Sequence, residues 1–149
     1  ITADFDTDET IHINRPVTIN GGNHTITFVG NTSSSWVYIL KVSQPIAVTI
    51  SNIKLKGGDV GLHVDEAVVI LLGTIDVSGN DFYGIELNDT VGTHLNVKGA
   101  TLKNTTEKEK YPTIKERGAD DKVQYNLGQF TVIPDEGYDE IDYYINNPQ

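Results

Sequence analysis

The chain has 149 residues, with 21 Asp and Glu against 11 Lys and Arg, a formal net charge of −10. That length sets an expectation of one domain, and the charge excludes nucleic acid or an anionic membrane surface as a partner, because nothing here neutralises a row of phosphates. There is no cysteine, which removes disulfides and thiolate metal sites, and no methionine, even at position 1, which is expected of a chain processed or excised from something longer.

The first segment holds Asp4-Phe5-Asp6-Thr7-Asp8-Glu9, then Thr10-Ile11-His12-Ile13. A calcium loop with spaced aspartates needs Gly at its sixth position and Glu at its twelfth. Those positions hold Glu9 and Arg15, so the pattern fails. The segment reads as an acidic turn before the first strand, with a looser calcium site as the alternative. Calcium is the one cofactor this leaves open, and no other is expected. In the run Pro16 to Phe28, alternation points Val17, Ile19, Ile26 and Phe28 inward. Gly21-Gly22 reads as a turn. Pro16 and Pro45 each open a strand group, where a missing N–H is tolerated. Gly30 to Ser35 is a polar loop leading to the single tryptophan, and Trp36 to Val42 reads as a strand.

Pro45 to Leu102 reads as three tandem copies of one unit. The first contains Ile50-Ser51-Asn52-Ile53-Lys54-Leu55 and Gly61-Leu62-His63-Val64-Asp65. The second contains Leu72-Gly73-Thr74-Ile75-Asp76-Val77 and Gly84-Ile85-Glu86-Leu87-Asn88, and the third starts at Val97. The offsets are 22 residues (Ile50 to Leu72), 23 (Gly61 to Gly84) and 25 (Leu72 to Val97). A period in this range signals a repeat architecture. Short apolar-polar alternations broken by Gly, Asn and Asp mean half-buried strands. The content fits one coil of a parallel β-helix per repeat. On that alignment Ile50 stacks on Leu72, Val64 on Leu87, and His63 on Glu86. Ile39 to Val42 occupies the register of Gly61 to Val64. Gly57-Gly58-Asp59 and Ser78-Gly79-Asn80-Asp81 fill equivalent turns. The longest apolar run, Ala67 to Leu72, suits a buried strand and falls far short of the ~18 apolar residues of a membrane span.

The run Thr10-Ile11-His12-Ile13-Asn14-Arg15-Pro16-Val17-Thr18-Ile19-Asn20-Gly21-Gly22-Asn23-His24-Thr25-Ile26 resembles the opening coil of the pectate-lyase-like right-handed β-helix superfamily. It is especially similar to the non-catalytic adhesive modules of secreted and cell-wall proteins of Gram-positive bacteria. The resemblance implies a secreted or cell-surface chain, a glycan or surface protein as partner, and contact rather than turnover. The fold expected is all-β: a short right-handed parallel β-helix of about 22–25 residues per coil. Its coils would occupy residues 1–102. Residues 103–149 would form a less regular C-terminal segment of the same domain.

After Leu102 the periodicity degrades. Lys103 to Asp121 reads as a long polar loop in which Lys108, Lys110 and Lys115 alternate with Glu107, Glu109 and Glu116. Val123 to Leu127 and Gln129 to Ile133 read as strands. In the acidic tail, Tyr138, Ile141, Tyr144 and Ile145 recur at helical spacing, which reads as a short capping helix, with an extended edge strand or a linker as the alternative. Asn23, Asn31, Asn88 and Asn104 begin Asn-x-Ser/Thr triplets, which chance supplies in a chain this rich in Asn and Thr.

Candidate chemistry is sparse. A lyase of this superfamily needs acids for calcium and a strong base. Arg15 and Arg117 lie outside the repeats, and Lys54 and Lys56 read as a solvated face. A glycoside hydrolase needs paired carboxylates, and the only Asp-Asp, Asp120-Asp121, falls in the polar loop. An enzyme reading would have to use His63, Glu86 and Asp65, converging in one groove. His12, His24 and His94 show no ligand spacing for zinc. A threonine column of the kind that binds ice is not expected, since Thr49 aligns with Leu71 and Thr74 with Asn52. Trp36, Tyr38, Phe82 and Tyr83 fall near turns, where rings stack on sugars or form an interface. The sequence therefore favours a non-catalytic module for adhesion, spacing or carbohydrate contact. A carbohydrate-active enzyme is the alternative, and a protein that self-associates through its β-helix ends is the third reading.

Overall fold

A computed structural model describes residues 1–33, 35–88, 90–104, 113–117, 124–126 and 131–133. The described elements are all strands: β1 (Phe5–Thr7), β2 (Ile11–His12), β3 (Val17–Phe28), β4 (Tyr38–Val42), β5 (Ala47–Lys56), β6 (Val60–Val64), β7 (Val68–Asp76), β8 (Tyr83–Asn88), β9 (His94–Lys103), β10 (Ile114–Arg117), β11 (Gln124–Asn126) and β12 (Thr131–Ile133). The chain shuttles between two sheets. One is seven-stranded, ordered β1-β3-β5-β7-β9-β11 with β12 also on β9; the other is five-stranded, ordered β10-β8-β6-β4-β2. Every pairing is parallel. The fold is therefore all-β and parallel, with sequence neighbours from β1 to β11 in opposite sheets. Among the described residues there is no helix long and apolar enough to cross a membrane.

Alternation builds the core. Val48, Ile50, Ile53 and Leu55 of β5 are at most 1% exposed, while Lys54 and Lys56 between and beyond them are exposed. The five-stranded sheet supplies Leu40 over Leu62 over Ile85 over Ile114, and Val42 over Val64 over Leu87. Each row is buried, so like stacks on like across four or three strands. Burial of this kind is worth ~1.5–3 kcal/mol per large side chain.

The seven-stranded sheet bends where the backbone turns left-handed. Asn23 (φ 61), Asn52 (φ 50) and Gly73 (φ 66) mark the bends of β3, β5 and β7. Asn and Gly are the residues that adopt this conformation at least cost. Thr74 N–H donates to Asn52 Oδ1 at 3.1 Å, tying one bend to the next.

These bends correct several expectations. Ile50 pairs with Leu71, not Leu72, because β7 carries Gly73 and Thr74 where β5 carries only Asn52. Leu72 pairs with Ser51 and is 41% exposed, so only alternate members of the apolar run face the core. Gly21-Gly22 lies within the continuous strand β3, at a register shift between Asn20 and His24, rather than in a separate turn. Asp4 to Glu9 is not simply a turn, since β1 forms within it. The expected loop from Lys103 to Asp121 contains β10, which pairs with β8, and β12 pairs with β9, so both sheets continue past residue 102. Thr18 pairs with Thr49, and Thr74 with Thr101 and then Thr131, so a short threonine column does exist. The expected capping helix at the tail, and Lys108, Lys110 and Asp120-Asp121, lie outside the described residues.

Candidate functional site

One face of the five-stranded sheet carries a row of ionisable residues. Successive ladder partners are His12, Lys41, His63, Glu86 and Lys115. They alternate with the core rows of Leu62 and Val64, so they fall on the opposite side of the sheet. His63 is 3% exposed and Glu86 2%. A buried carboxylate is costly unless it is paired and hydrogen-bonded. Here His63 Nδ1 lies 3.1 Å from Glu86 Oε1, and the Tyr38 hydroxyl donates to the same oxygen at 2.8 Å. With Glu86 ionised the carboxylate only accepts, and the contact then requires the His63 Nδ1–H as donor. The Tyr38 ring stacks on the imidazole, with centroids 4.2 Å apart and planes 29° from parallel. The Lys41 ammonium lies 5.6 Å from the Tyr38 centroid, on the ring face.

The stacking of His63 on Glu86 was legible in the sequence, and the structure brings the two into contact. Asp65 joins them in no described hydrogen bond. Its N–H donates to Val42 O at 2.8 Å, and its Oδ1 is buried without a hydrogen-bond partner. The third member of the group, Tyr38, was singled out only as an aromatic. Its hydroxyl reaches across two strands, which the one-strand spacing of the repeats did not reveal.

The aromatic residues near the turns also assemble. Trp36 meets Phe82 at 4.6 Å and Tyr83 at 6.2 Å between ring centroids, and Phe82 and Tyr83 are 6.5 Å apart. Trp36 is 39% exposed. The turn between them is Gly57-Gly58-Asp59, tied on one side by Asp59 N–H to Val37 O (3.0 Å) and on the other by Phe82 N–H to Asp59 O (2.9 Å). Tyr38, Val60 and Tyr83 are consecutive ladder partners, so the ring cluster adjoins the His63–Glu86 pair.

Two buried polar residues hold these turns, and sequence reasoning missed their burial. Asp59 Oδ2 accepts Val37 N–H at 2.7 Å, and Asn80 Oδ1 accepts Gly58 N–H at 3.1 Å. Each reaches back 22 residues, so they do the same job in adjacent turns. Asn80 also donates to Leu55 O (3.0 Å) and Val77 O (2.8 Å). Burial pushes the Asp59 carboxyl above its ordinary range; the Val37 N–H opposes this and Asp81 adds to it. A carboxyl raised in this way gives stability that is fully present below its unfolded pKa and is lost as pH rises through the folded value. Asp59 thus does with a carboxyl whose charged form burial disfavours the job that Asn80 does with an uncharged amide. Asp59→Asn is expected to raise the melting temperature by a few degrees at neutral pH, with the gain shrinking as pH falls through the carboxylate range. Thermal unfolding at the two pH values checks this. A lower melting temperature at neutral pH would show that the turn needs the charge.

The site thus belongs to a parallel all-β protein with a buried His–Glu pair capped by the half-buried Tyr38, beside an aromatic cluster of the exposed Trp36 with the half-buried Phe82 and Tyr83. Comparisons with protein-family models, curated proteins and solved structures find no match for the chain.

Proposed function

We propose that the chain is a non-catalytic extracellular module that contacts carbohydrate through Trp36, Phe82 and Tyr83, with Tyr38 beneath them. The fold proposed with it is a short right-handed parallel β-helix. Parallel pairing throughout, regular shuttling between two sheets and ladder steps of 22 and 23 residues (Leu40 to Leu62 to Ile85) support that fold. The single observation that carries the function is the assembly of Trp36, Phe82 and Tyr83 from two separate turns into one cluster with an exposed indole. Aromatic faces with a wet edge bind the apolar faces of sugars. The first experiment is binding and turnover on a glycan panel including polyuronates, with and without calcium. Binding without turnover is expected, weakened about tenfold or more by Trp36→Ala, as for a central aromatic contact. No retention by any glycan would sink the carbohydrate reading.

The enzyme reading is favoured by one observation, the contact of His63 with Glu86. Glu86 orients the ring as a carboxylate orients a catalytic histidine. Against it stand the burial of both side chains and the absence of a described hydrogen bond from Asp65 to either. Turnover on the panel, lost in His63→Gln, would establish it.

A further inference from the structure

Four Asn-x-Ser/Thr triplets stand in the chain, and counting residues does not rank them. The structure does. In Asn104-Thr105-Thr106 the asparagine is 3% exposed, and its Nδ2, the atom to which a sugar is joined, donates to Thr113 Oγ1 at 3.2 Å. Asn23-His24-Thr25 lies inside β3, with Asn23 at the bend and His24 and Thr25 paired to Ile53 and Lys54. The Thr25 N–H also donates to Asp4 Oδ1 at 2.9 Å. Asn88-Asp89-Thr90 starts on the last residue of β8. There the half-buried Asn88 pairs with Arg117, and Asn88 O accepts the Thr90 N–H at 2.9 Å.

Asn31-Thr32-Ser33 differs from all of these. It stands between β3 and β4, outside the described strands, and both Asn31 and Ser33 are exposed. Asn31 Nδ2 enters no described hydrogen bond. The side-chain oxygen instead accepts the Ser33 N–H at 2.8 Å and the Ser33 hydroxyl at 2.6 Å. A hydroxyl two residues after the asparagine is what glycan transfer to such a triplet requires, and here it already touches the amide. Presenting this loop to a transferase breaks no described ladder bond, whereas presenting Asn23 unpairs β3 from β5.

We propose that Asn31 is the acceptor of an N-linked oligosaccharide, and that the fold selects it over the other three triplets. The inference rests on the extracellular part of the proposed function, not on sugar contact by the aromatic cluster. The donor is an oligosaccharide carried on a polyprenyl diphosphate. Asn31 Nδ2 bonds to the anomeric carbon, the bond from that carbon to the diphosphate oxygen breaks, and the lipid diphosphate leaves with the electron pair. The amide proton passes to a carboxylate of the transferase.

The test presents the folded, unmodified protein to a single-subunit oligosaccharyltransferase with its lipid-linked donor. Four synthetic peptides, each holding one triplet, serve as the unfolded reference. Intact mass and glycopeptide mapping read the result. The protein is expected to gain one sugar chain, at Asn31, while all four peptides accept. Asn31→Gln and Ser33→Ala are expected to lose the gain, and Ser33→Thr to keep it, which separates loss of the hydroxyl from damage to the loop. The proposal is overturned if the folded protein gains no sugar, or gains it as readily at Asn23, Asn88 or Asn104. It is equally overturned if Ser33→Ala is still modified at Asn31, or if the peptides show the same preference as the folded protein. Whether the chain is extracellular is read separately, by fractionating the cells that make it, so the two failures do not look alike.

Discussion

Glu86→Ala is expected to lower the unfolding free energy by about 2–5 kcal/mol, because it leaves two donors, His63 Nδ1–H and the Tyr38 hydroxyl, without an acceptor at ~1–3 kcal/mol each. The loss is large because one oxygen serves two donors. Without it, the His63 Nδ1–H and the Tyr38 hydroxyl both lose their acceptor in a place where His63 is 3% exposed. Tyr38→Phe, which removes only one donor, is expected to cost ~1 kcal/mol. The double change His63→Leu/Glu86→Leu is expected to recover most of the Glu86→Ala loss, because an apolar pair needs no compensation for lost water. Urea titration of the four proteins makes the comparison. A loss below ~1 kcal/mol for Glu86→Ala would mean that water reaches the row, which would favour the enzyme reading by making the His63 ring accessible.

The second large effect separates two glycines of stacked turns. Gly57 (φ +93) and Gly79 (φ +82) both adopt left-handed backbone, and Gly57 N–H donates to Gly79 O at 3.1 Å. A Cβ on Gly57 would lie 2.5 Å from Phe28 O, which is backbone and cannot move aside. A Cβ on Gly79 would meet nothing closer than Lys56 Cβ at 3.3 Å. Gly79→Ala is therefore expected to cost about 1–2 kcal/mol, the left-handed conformation alone. Gly57→Ala is expected to cost roughly 3 kcal/mol or more, with strain and collision combined. Equal losses in the two variants, read by the same titration, would show that β3 gives way at Phe28.

The sequence was most readable where one strand repeats the next without insertion. In β6 and β8 the apolar alternation survives intact, so Val64 over Leu87 and His63 over Glu86 follow from counting. Counting fails where a bend absorbs a different number of residues in each strand. Between paired positions β5 spends one residue, Asn52, where β7 spends two and β3 three. That difference moved Ile50 onto Leu71, and a separate one, Val97 and Lys98 of β9 against Leu71 of β7, hid the pairing of Thr74 with Thr101. The ring cluster was legible only in part. Trp36, Phe82 and Tyr83 stood out by type and place near turns, but their meeting between separate turns is not set by any strand register. The burial of Asp59 had no sequence signal of its own, because a polar residue after two glycines reads equally well as a solvated turn.

The uniform direction of pairing has a mechanical consequence. Among the described strands, each pairs only with its neighbours in its own ladder, and β3 to β9 are paired on both edges. Such a stack loses structure by peeling from an end more readily than by opening in the middle. The His63–Glu86 pair sits on β6 and β8, each flanked on both sides. The polar group and the rings that lean on it therefore occupy the stretch of chain that outlasts fraying at the ends, and a contact surface placed there survives damage that strips the outermost strands.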